Sequence, residues 1–126
     1  FMQNNSFLYE DTAICGSRGW IHPAWDGFSG NDRKMFDREC IRIELSIKSA
    51  NNYKDIIIFT HYPPCSTKFE SNELMDIIKK YPVSAVVYGH LHAAAHRNAL
   101  DSVHDGVEYH LVSADYLQFM PKLLRD

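Results

Sequence analysis

Residues 86–92 have the sequence VVYGHLH and close an apolar run that begins at Val83. A short apolar run bounded by a turn signal is typical of a buried strand in an α/β sheet. Gly89 allows a sharp turn at the end of that strand, because glycine adopts positive φ angles at little cost. Alternate residues of an extended chain point to the same side, so the imidazoles of His90 and His92 can converge on one point. Since neutral imidazole is the commonest protein ligand for zinc-like metals, this strand end is a candidate metal site.

A second apolar run ends in the same way. Residues 55–60 read DIIIFT, and the run stops at His61, which precedes Tyr62, Pro63 and Pro64. Proline cannot continue a central strand, so His61 also lies at a strand exit, where α/β proteins usually bind ligands. Histidines at two strand exits favour a metal site, while on spacing alone solvated loop histidines stay open as the alternative.

The composition is that of an ordinary globular protein, and its 126 residues fit one small domain. Hydrophobic residues make up 45% of the chain, charged residues 23%, and the net charge is -3. This mild acidity argues against a general nucleic-acid binder, which would carry a basic patch. The apolar runs are too short to span a bilayer. Cys15, Cys40 and Cys65 are widely spaced and odd in number, which predicts free thiols in a reducing, cytoplasmic compartment.

Local patterns predict helices and strands in alternation, and hence an α/β domain. Phe36, Cys40, Ile43 and Ile47 form the apolar stripe of an amphipathic helix that starts after the capping residue Ser29. The predicted elements are a hairpin of residues 7–9 and 12–15, a helix over 32–50, a strand over 56–60, a helix over 71–80 capped by Ser71, a strand over 83–88, and a hairpin of residues 93–103 and 107–114 turned at Asp105-Gly106.

The two strand exits together resemble a known family. His61 after one apolar strand, followed by Gly89-His90-Leu91-His92 after the next, is similar to the C-terminal half of the calcineurin-like metallophosphoesterases, and the wider chain is similar to a bacterial branch of predicted phosphohydrolases. The motifs of that family are Asp-x-His, Gly-Asp-x-x-Asp, Gly-Asn-His-Asp or Glu, a lone His, and Gly-His-x-His. The first three do not occur in these 126 residues. The resemblance implies that residues 1–126 are the C-terminal part of a single metallophosphoesterase β-sandwich flanked by helices, and the start at Phe1 fits that expectation.

The resemblance also implies roles for single residues. His61 and His90 would hold one divalent metal ion and His92 would hold its neighbour, with Mn, Fe or Zn favoured by histidine ligation. Two such ions clamp the phosphate of a phosphoester and activate water. Arg18, in the glycine-flanked loop, would bind the substrate phosphate, although a surface or core-bridging arginine is the alternative. By the resemblance, the missing half supplies the bridging carboxylate, the Asn ligand and the histidine acid. The chain alone is therefore expected to bind metal weakly, to contain no complete catalytic set and to hydrolyse little.

A structural role is the alternative function. Strands over 56–59 and 83–87 are apolar on both faces, whereas two helices can cover only one face. An apolar face left bare would be unusual for a soluble monomer. We therefore expect self-association, or folding against the missing half or another partner, with no membrane and no specific nucleic acid involved. Trp20 and Trp25 are expected to be packing residues rather than residues that stack on a substrate. Tyr62 fits packing as well as contact with the phosphate, and Cys65 is expected to be an inert thiol.

Overall fold

A computed structural model describes residues 6–89 and 102–111 as one mixed sheet with two helices. The sheet has six strands in the order β1-β2-β3-β4-β6-β5. The strands β2, β3, β4 and β6 run parallel, and the edge strands β1 and β5 pair antiparallel to their neighbours. The elements are β1 (Ser6–Tyr9), β2 (Thr12–Gly16), α1 (Gly30–Lys48), β3 (Asp55–Thr60), α2 (Glu73–Lys80), β4 (Val83–Tyr88), β5 (Val103–His104) and β6 (Val107–Leu111).

Both helices pack on the same face of the sheet. The chain runs from β2 through α1 to β3, and from β3 through α2 to β4. Each crossover moves one strand along the sheet, in the same direction both times. Right-handed crossovers then place α1 and α2 on one face. In β3 the buried residues are Ile56, Ile58 and Thr60, and the first two join a core cluster that includes Phe36 of α1 and Leu74 of α2. This cluster fills the layer between the sheet and the helices.

The first helix confirms its sequence pattern. Phe36, Cys40, Ile43 and Ile47 are all buried. The Oγ of Ser29 accepts a hydrogen bond from the backbone N–H of the third helical residue, whose carboxylate in turn accepts one from the Ser29 N–H, which makes a capping box. The helix begins at Gly30, two residues before the predicted start.

The second helix begins later than predicted. Its capping residue is Asn72 and not Ser71, because the Oδ1 of Asn72 accepts from the N–H of Met75 at 2.9 Å. The side-chain amide of Asn72 also donates to the carbonyl of Pro64 at 2.9 Å, so a contact with the preceding loop selects this residue as the cap.

The two predicted hairpins have different outcomes. The hairpin of β1 and β2 is confirmed, with its turn at Glu10, which has a φ of 54°. The second hairpin turns at Asp105-Gly106 as predicted, and its described strands are Val103–His104 and Val107–Leu111. The predicted outer parts of these strands, over 93–101 and 112–114, lie outside the described residues. The greater part of β6 pairs with β4 and not with its hairpin partner.

The sheet face opposite the helices carries a second apolar row. Ile14, Ile57 and Ala85 are register partners there, as are Phe59 and Val87. Ile57 and Phe59 are partly exposed. Phe7, the neighbour of this row on the edge strand, is 43% exposed. The α/β class is thus confirmed, and within residues 6–89 and 102–111 the strands form a single sheet.

Two further expectations concern thiols and membranes. Cys15, Cys40 and Cys65 are free and buried. Burial raises the pKa of Cys15 to about 11 and those of Cys40 and Cys65 to about 12, so the thiolate is scarce at neutral pH. Neither helix of the described chain is long and apolar enough to cross a bilayer.

Candidate functional site

The four parallel strands end at one edge of the sheet. Their last residues are Gly16, Thr60, Tyr88 and Leu111. Thr60 and Tyr88 are register partners, so the chain leaves β3 and β4 at the same level. The carboxyl edge of parallel strands is where α/β proteins usually bind ligands. We refer to this edge, with the loops that come after the strands, as the carboxyl edge.

Arg18 and His61 lie side by side at the carboxyl edge. The N–H of Ser17 donates to the carbonyl of Phe59 at 3.2 Å, and the N–H of His61 donates to the carbonyl of Arg18 at 2.8 Å. These two bonds continue the β2–β3 ladder one step beyond the strands. The ladder therefore fixes the backbones of both residues at the same level, while the side chain of Arg18 is exposed.

The close approach of β2 and β3 at this level requires glycine. A Cβ added to Gly16 would lie 2.3 Å from the carbonyl oxygen of Phe59, closer than any real Cβ contact. Gly19 has a φ of 74°, in the left-handed region that side chains disfavour. The loop after β2 thus depends on both glycines for its path around Arg18.

A buried carboxylate holds the loop that carries Arg18. Glu39 of α1 is 3% exposed, and its Oε1 accepts hydrogen bonds from the Ser17 hydroxyl and from the Gly19 N–H, the latter at 3.0 Å. Its Oε2 accepts from the guanidinium of Arg42 at 2.8 Å. Because Ser17 and Gly19 flank Arg18, this carboxylate fixes the backbone on both sides of the arginine.

An aromatic pair lies next to Arg18. The guanidinium carbon of Arg18 lies over the indole ring of Trp20, 5.7 Å from its centroid, and the ring centroids of Trp20 and Tyr62 are 5.8 Å apart. The indole N–H donates to Oδ1 of Asp32 at 3.0 Å. This bond, together with weaker contributions from Ser29, lowers the pKa of Asp32 below its ordinary value, so the carboxylate is charged and holds the ring in place.

A buried histidine lies in the same loop. His22 is 3% exposed, and its Nδ1 has no hydrogen-bond partner among the described residues. Its ring meets Trp25 edge to face at a centroid distance of 5.4 Å. Burial lowers the pKa of His22 from its ordinary value of 6.5, and the Glu70 carboxylate partly offsets that effect. The imidazole is therefore neutral at neutral pH.

The structure brings together part of the predicted site. Arg18 and His61 are adjacent, and Gly89 leads out of the strand next to the one that ends before His61. The predicted metal ligands His90 and His92 lie outside the described residues. Among the residues that are described, no group of three or more His, Cys, Asp or Glu side chains could hold a metal ion.

Sequence reasoning missed the buried polar residues Glu39 and His22. Glu39 had a signal in the sequence: it lies three residues after Phe36 and four before Ile43, on the apolar stripe of α1. A charged residue on such a stripe indicates a buried polar contact. His22, in an irregular loop before Pro23, had no comparable signal.

Comparisons with models of protein families, with curated proteins and with solved structures find no match for the chain. The function of the chain is therefore inferred from its fold and from the contacts at the carboxyl edge.

Proposed function

We propose that this chain contributes to a dinuclear metallophosphoesterase site at the carboxyl edge. The observation that carries the proposal is the register of β3 and β4. Thr60 pairs with Tyr88, so β3 ends just before His61 and β4 ends just before Gly89 at one level of the sheet. His90 comes directly after Gly89, and His92 comes two residues later. Histidines that leave adjacent parallel strands can share a metal site.

The donor set fits divalent transition metals. His61 and His90 would hold one ion and His92 a second, and imidazole nitrogen suits Mn, Fe or Zn better than Mg or Ca. Such ions supply polarisation of a phosphoryl oxygen and activation of water when they are bound. A site with three imidazoles shared between two ions lacks bridging carboxylates, so we expect the affinity of this chain for metal to be weak.

Arg18 would bind the phosphate of the substrate. Its side chain is exposed at the level of His61, and its backbone is fixed by the ladder and by Glu39. A guanidinium can donate two parallel hydrogen bonds to a phosphate, which orients the group as well as binding it. The residues around Arg18 thus support an anion site beside the proposed metal ligands.

The rest of the catalytic set would come from a complementary half. The motifs that supply the bridging carboxylate, the Asn ligand and the histidine acid in the family do not occur in these 126 residues. We propose that the sheet pairs with a second sheet to complete a β-sandwich in a cytoplasmic enzyme. On the face opposite the helices, Ile14 and Val87 are already buried, whereas Ile57 and Phe59 are partly exposed. A partner would cover this partly exposed part of the face, with Phe7 at its edge.

The same apolar face favours a second candidate, a non-catalytic part that associates with a partner or with a second copy of the chain. This candidate needs no metal. Metal binding by the histidines therefore separates the two.

The test is a titration of the chain with Mn²⁺ by calorimetry, at neutral pH. We expect weak binding in the wild type, and a loss of about tenfold or more in affinity for His61→Ala, His90→Ala or His92→Ala, since each removes a ligand. The wild-type chain should turn over a generic aryl phosphate only slightly with Mn²⁺ added.

The matched control is His104→Ala. His104 lies beside Val107, the first residue of β6, and so at the opposite edge of the sheet. Its substitution should leave Mn²⁺ binding unchanged. The metal site would be overturned if alanine substitution of His61, His90 and His92 left Mn²⁺ binding unchanged, or if His104→Ala weakened it equally. Either result would favour the non-catalytic role.

A further inference from the structure

We propose that Arg18, Trp20 and Tyr62 form a selectivity site for phosphoesters whose alcohol part is a planar aromatic ring. We call these three residues the aromatic clamp. The inference rests on the proposed function, because it takes the phosphate to lie at Arg18. It goes beyond that function by naming the class of substrate.

The aromatic clamp is a continuous set of side chains at the carboxyl edge. Arg18 lies over the indole of Trp20, and Trp20 meets Tyr62 at an interplanar angle of 49°. Tyr62 in turn lies beside His61, with ring centroids 6.2 Å apart. The set therefore links the proposed phosphate ligand to the proposed metal ligand through two aromatic rings.

The indole of Trp20 is held in place before any ligand arrives. Its N–H donates to Asp32, and Asp32 accepts further bonds from the N–H and hydroxyl of Ser29 at the start of α1. Trp20 also packs against the hydrophobic core and is only partly exposed. A ring that is already fixed loses little conformational entropy when a ligand stacks on it.

The guanidinium of Arg18 covers a face of this ring. A cation over an aromatic ring at an exposed site is a weak contact, because water competes for the guanidinium. Two charge-assisted hydrogen bonds to a phosphate are stronger. A phosphate at the carboxyl edge would therefore draw Arg18 away from Trp20, and the indole face that it leaves becomes free for the ligand's own ring.

A planar aromatic ring fits the vacated face better than a saturated ring of similar size. Aromatic rings stack on indole through their π faces at close distance, whereas a puckered ring touches at fewer points. Aryl phosphates carry such a ring directly on the ester oxygen of the phosphate. The aromatic clamp would favour this class over alkyl phosphates of equal charge.

The test compares three phosphonates, whose carbon–phosphorus bond resists hydrolysis. The chain is titrated by calorimetry, with Mn²⁺ present, against phenylphosphonate, cyclohexylphosphonate and methylphosphonate. We expect phenylphosphonate to bind about tenfold more tightly than cyclohexylphosphonate, the scale of base stacking on an aromatic side chain. Trp20→Leu should reduce this ratio to about one, while Trp20→Phe should retain most of it.

The control variants test whether the preference for the aromatic ring comes from the aromatic clamp or from other residues of the same loop. Trp25→Leu changes the other tryptophan of the same loop, which contacts His22, and should leave the ratio unchanged. Tyr62→Leu should lower the ratio without abolishing it. Circular dichroism and sedimentation check that each variant is folded, and the Trp20→Phe and Tyr62→Leu pair tests the inference if Trp20→Leu does not fold.

The outcomes distinguish the two proposals. Equal affinity for the two rings in the wild type, or a preference that survives both Trp20→Leu and Tyr62→Leu, would overturn the aromatic clamp alone. Methylphosphonate binding that Arg18→Ala abolishes would still support the phosphate site in that case. If none of the phosphonates binds, the proposed phosphate site fails and the aromatic clamp fails with it.

Discussion

The two edges of the sheet are built in different ways. At the carboxyl edge, the charged side chain of Glu39 and the imidazole of His22 are both 3% exposed. At the amino edge, the ion pair of Asp11 and Lys54 spans 3.5 Å with side chains that are 64% and 83% exposed. The backbone closes the amino edge, where the N–H of Lys54 donates to the carbonyl of Asp11 at 2.7 Å.

This difference indicates that buried polar groups are not needed to connect strands to helices in this fold. The amino edge makes its connections with backbone bonds, an exposed ion pair and the partly buried hydrogen bond from the Thr12 hydroxyl to Asp55. Contacts of this kind cost little free energy to form, because none of them buries a charge fully. The carboxyl edge buries a carboxylate and leaves the Nδ1 of His22 without a described partner, and both features are destabilising in themselves. Destabilising features of this kind are concentrated at functional sites, which agrees with the proposed role of this edge.

The largest effect is expected for Gly16→Ala. Its new Cβ would lie 2.3 Å from the Phe59 carbonyl oxygen, which is backbone of the neighbouring strand and cannot move without breaking the ladder. We expect a loss of about 3 kcal/mol or more in the free energy of unfolding, measured by urea denaturation. Gly30→Ala is the matched control, since nothing lies within 4 Å of its Cβ position, and it should change stability by less than about 0.5 kcal/mol. Equal effects of the two substitutions would show that the β2–β3 approach is not tight.

Most of the fold could be predicted from the sequence, because local patterns specify it. The apolar runs of β3 and β4, the stripe of α1 and the cap at Ser29 are readable without tertiary information. The first residue of α2 could not be predicted, because Ser71 and Asn72 are both good capping residues. The contact of Asn72 with the Pro64 carbonyl decides between them. The pairing of β6 with β4 is likewise a contact between distant segments.

The second prediction compares the loss of one acidic side chain at each edge. Glu39→Ala leaves the Ser17 hydroxyl and the Gly19 N–H without their buried acceptor, and it removes the partner of Arg42. We expect a loss of about 3 kcal/mol in the free energy of unfolding. Asp11→Ala, at the amino edge, should cost less than about 1 kcal/mol, because its pair is exposed and its backbone carbonyl is retained.

Thermal or urea unfolding of both variants, under identical buffer conditions, measures the contrast. Glu39→Gln is informative beside them, since it keeps an acceptor oxygen for Ser17 or Gly19 and should recover part of the loss. Comparable losses in Glu39→Ala and Asp11→Ala would show that the two edges do not differ in how much their acidic side chains stabilise the fold.

The candidate site was predictable only at the strand ends. His61 and Arg18 lie where the exits of β3 and β2 place them, as the parallel sheet requires. The contacts that hold Arg18 were not predictable, because Glu39 reaches its loop across the layer between α1 and the sheet. A charge on an apolar stripe indicates a buried partner, but the stripe does not identify that partner.

The smallest effect concerns pH and His22. Burial lowers the pKa of this imidazole below its ordinary value of 6.5, although the Glu70 carboxylate acts in the other direction, and Trp25 packs against the ring. The unfolded chain therefore binds a proton at His22 before the folded chain does as the pH falls. The stability that comes from the neutral ring is present above pH 6.5 and declines as the pH drops from 6.5 toward the lowered folded pKa.

We expect the free energy of unfolding to fall as the pH is lowered below about 6.5, and His22→Phe to flatten that decline, because phenylalanine fills similar space and does not titrate. Urea denaturation at several pH values measures the slope for each protein. Asp11→Ala serves as a reference from the amino edge and should keep the wild-type slope, because the side chain of Asp11 is 64% exposed and its ion pair lies at the other edge of the sheet. A slope in His22→Phe as steep as that of the wild type would mean that other groups cause the decline. His22 would then make no pH-dependent contribution to stability at the carboxyl edge. Glu39 would be the residue left to distinguish this edge from the amino edge.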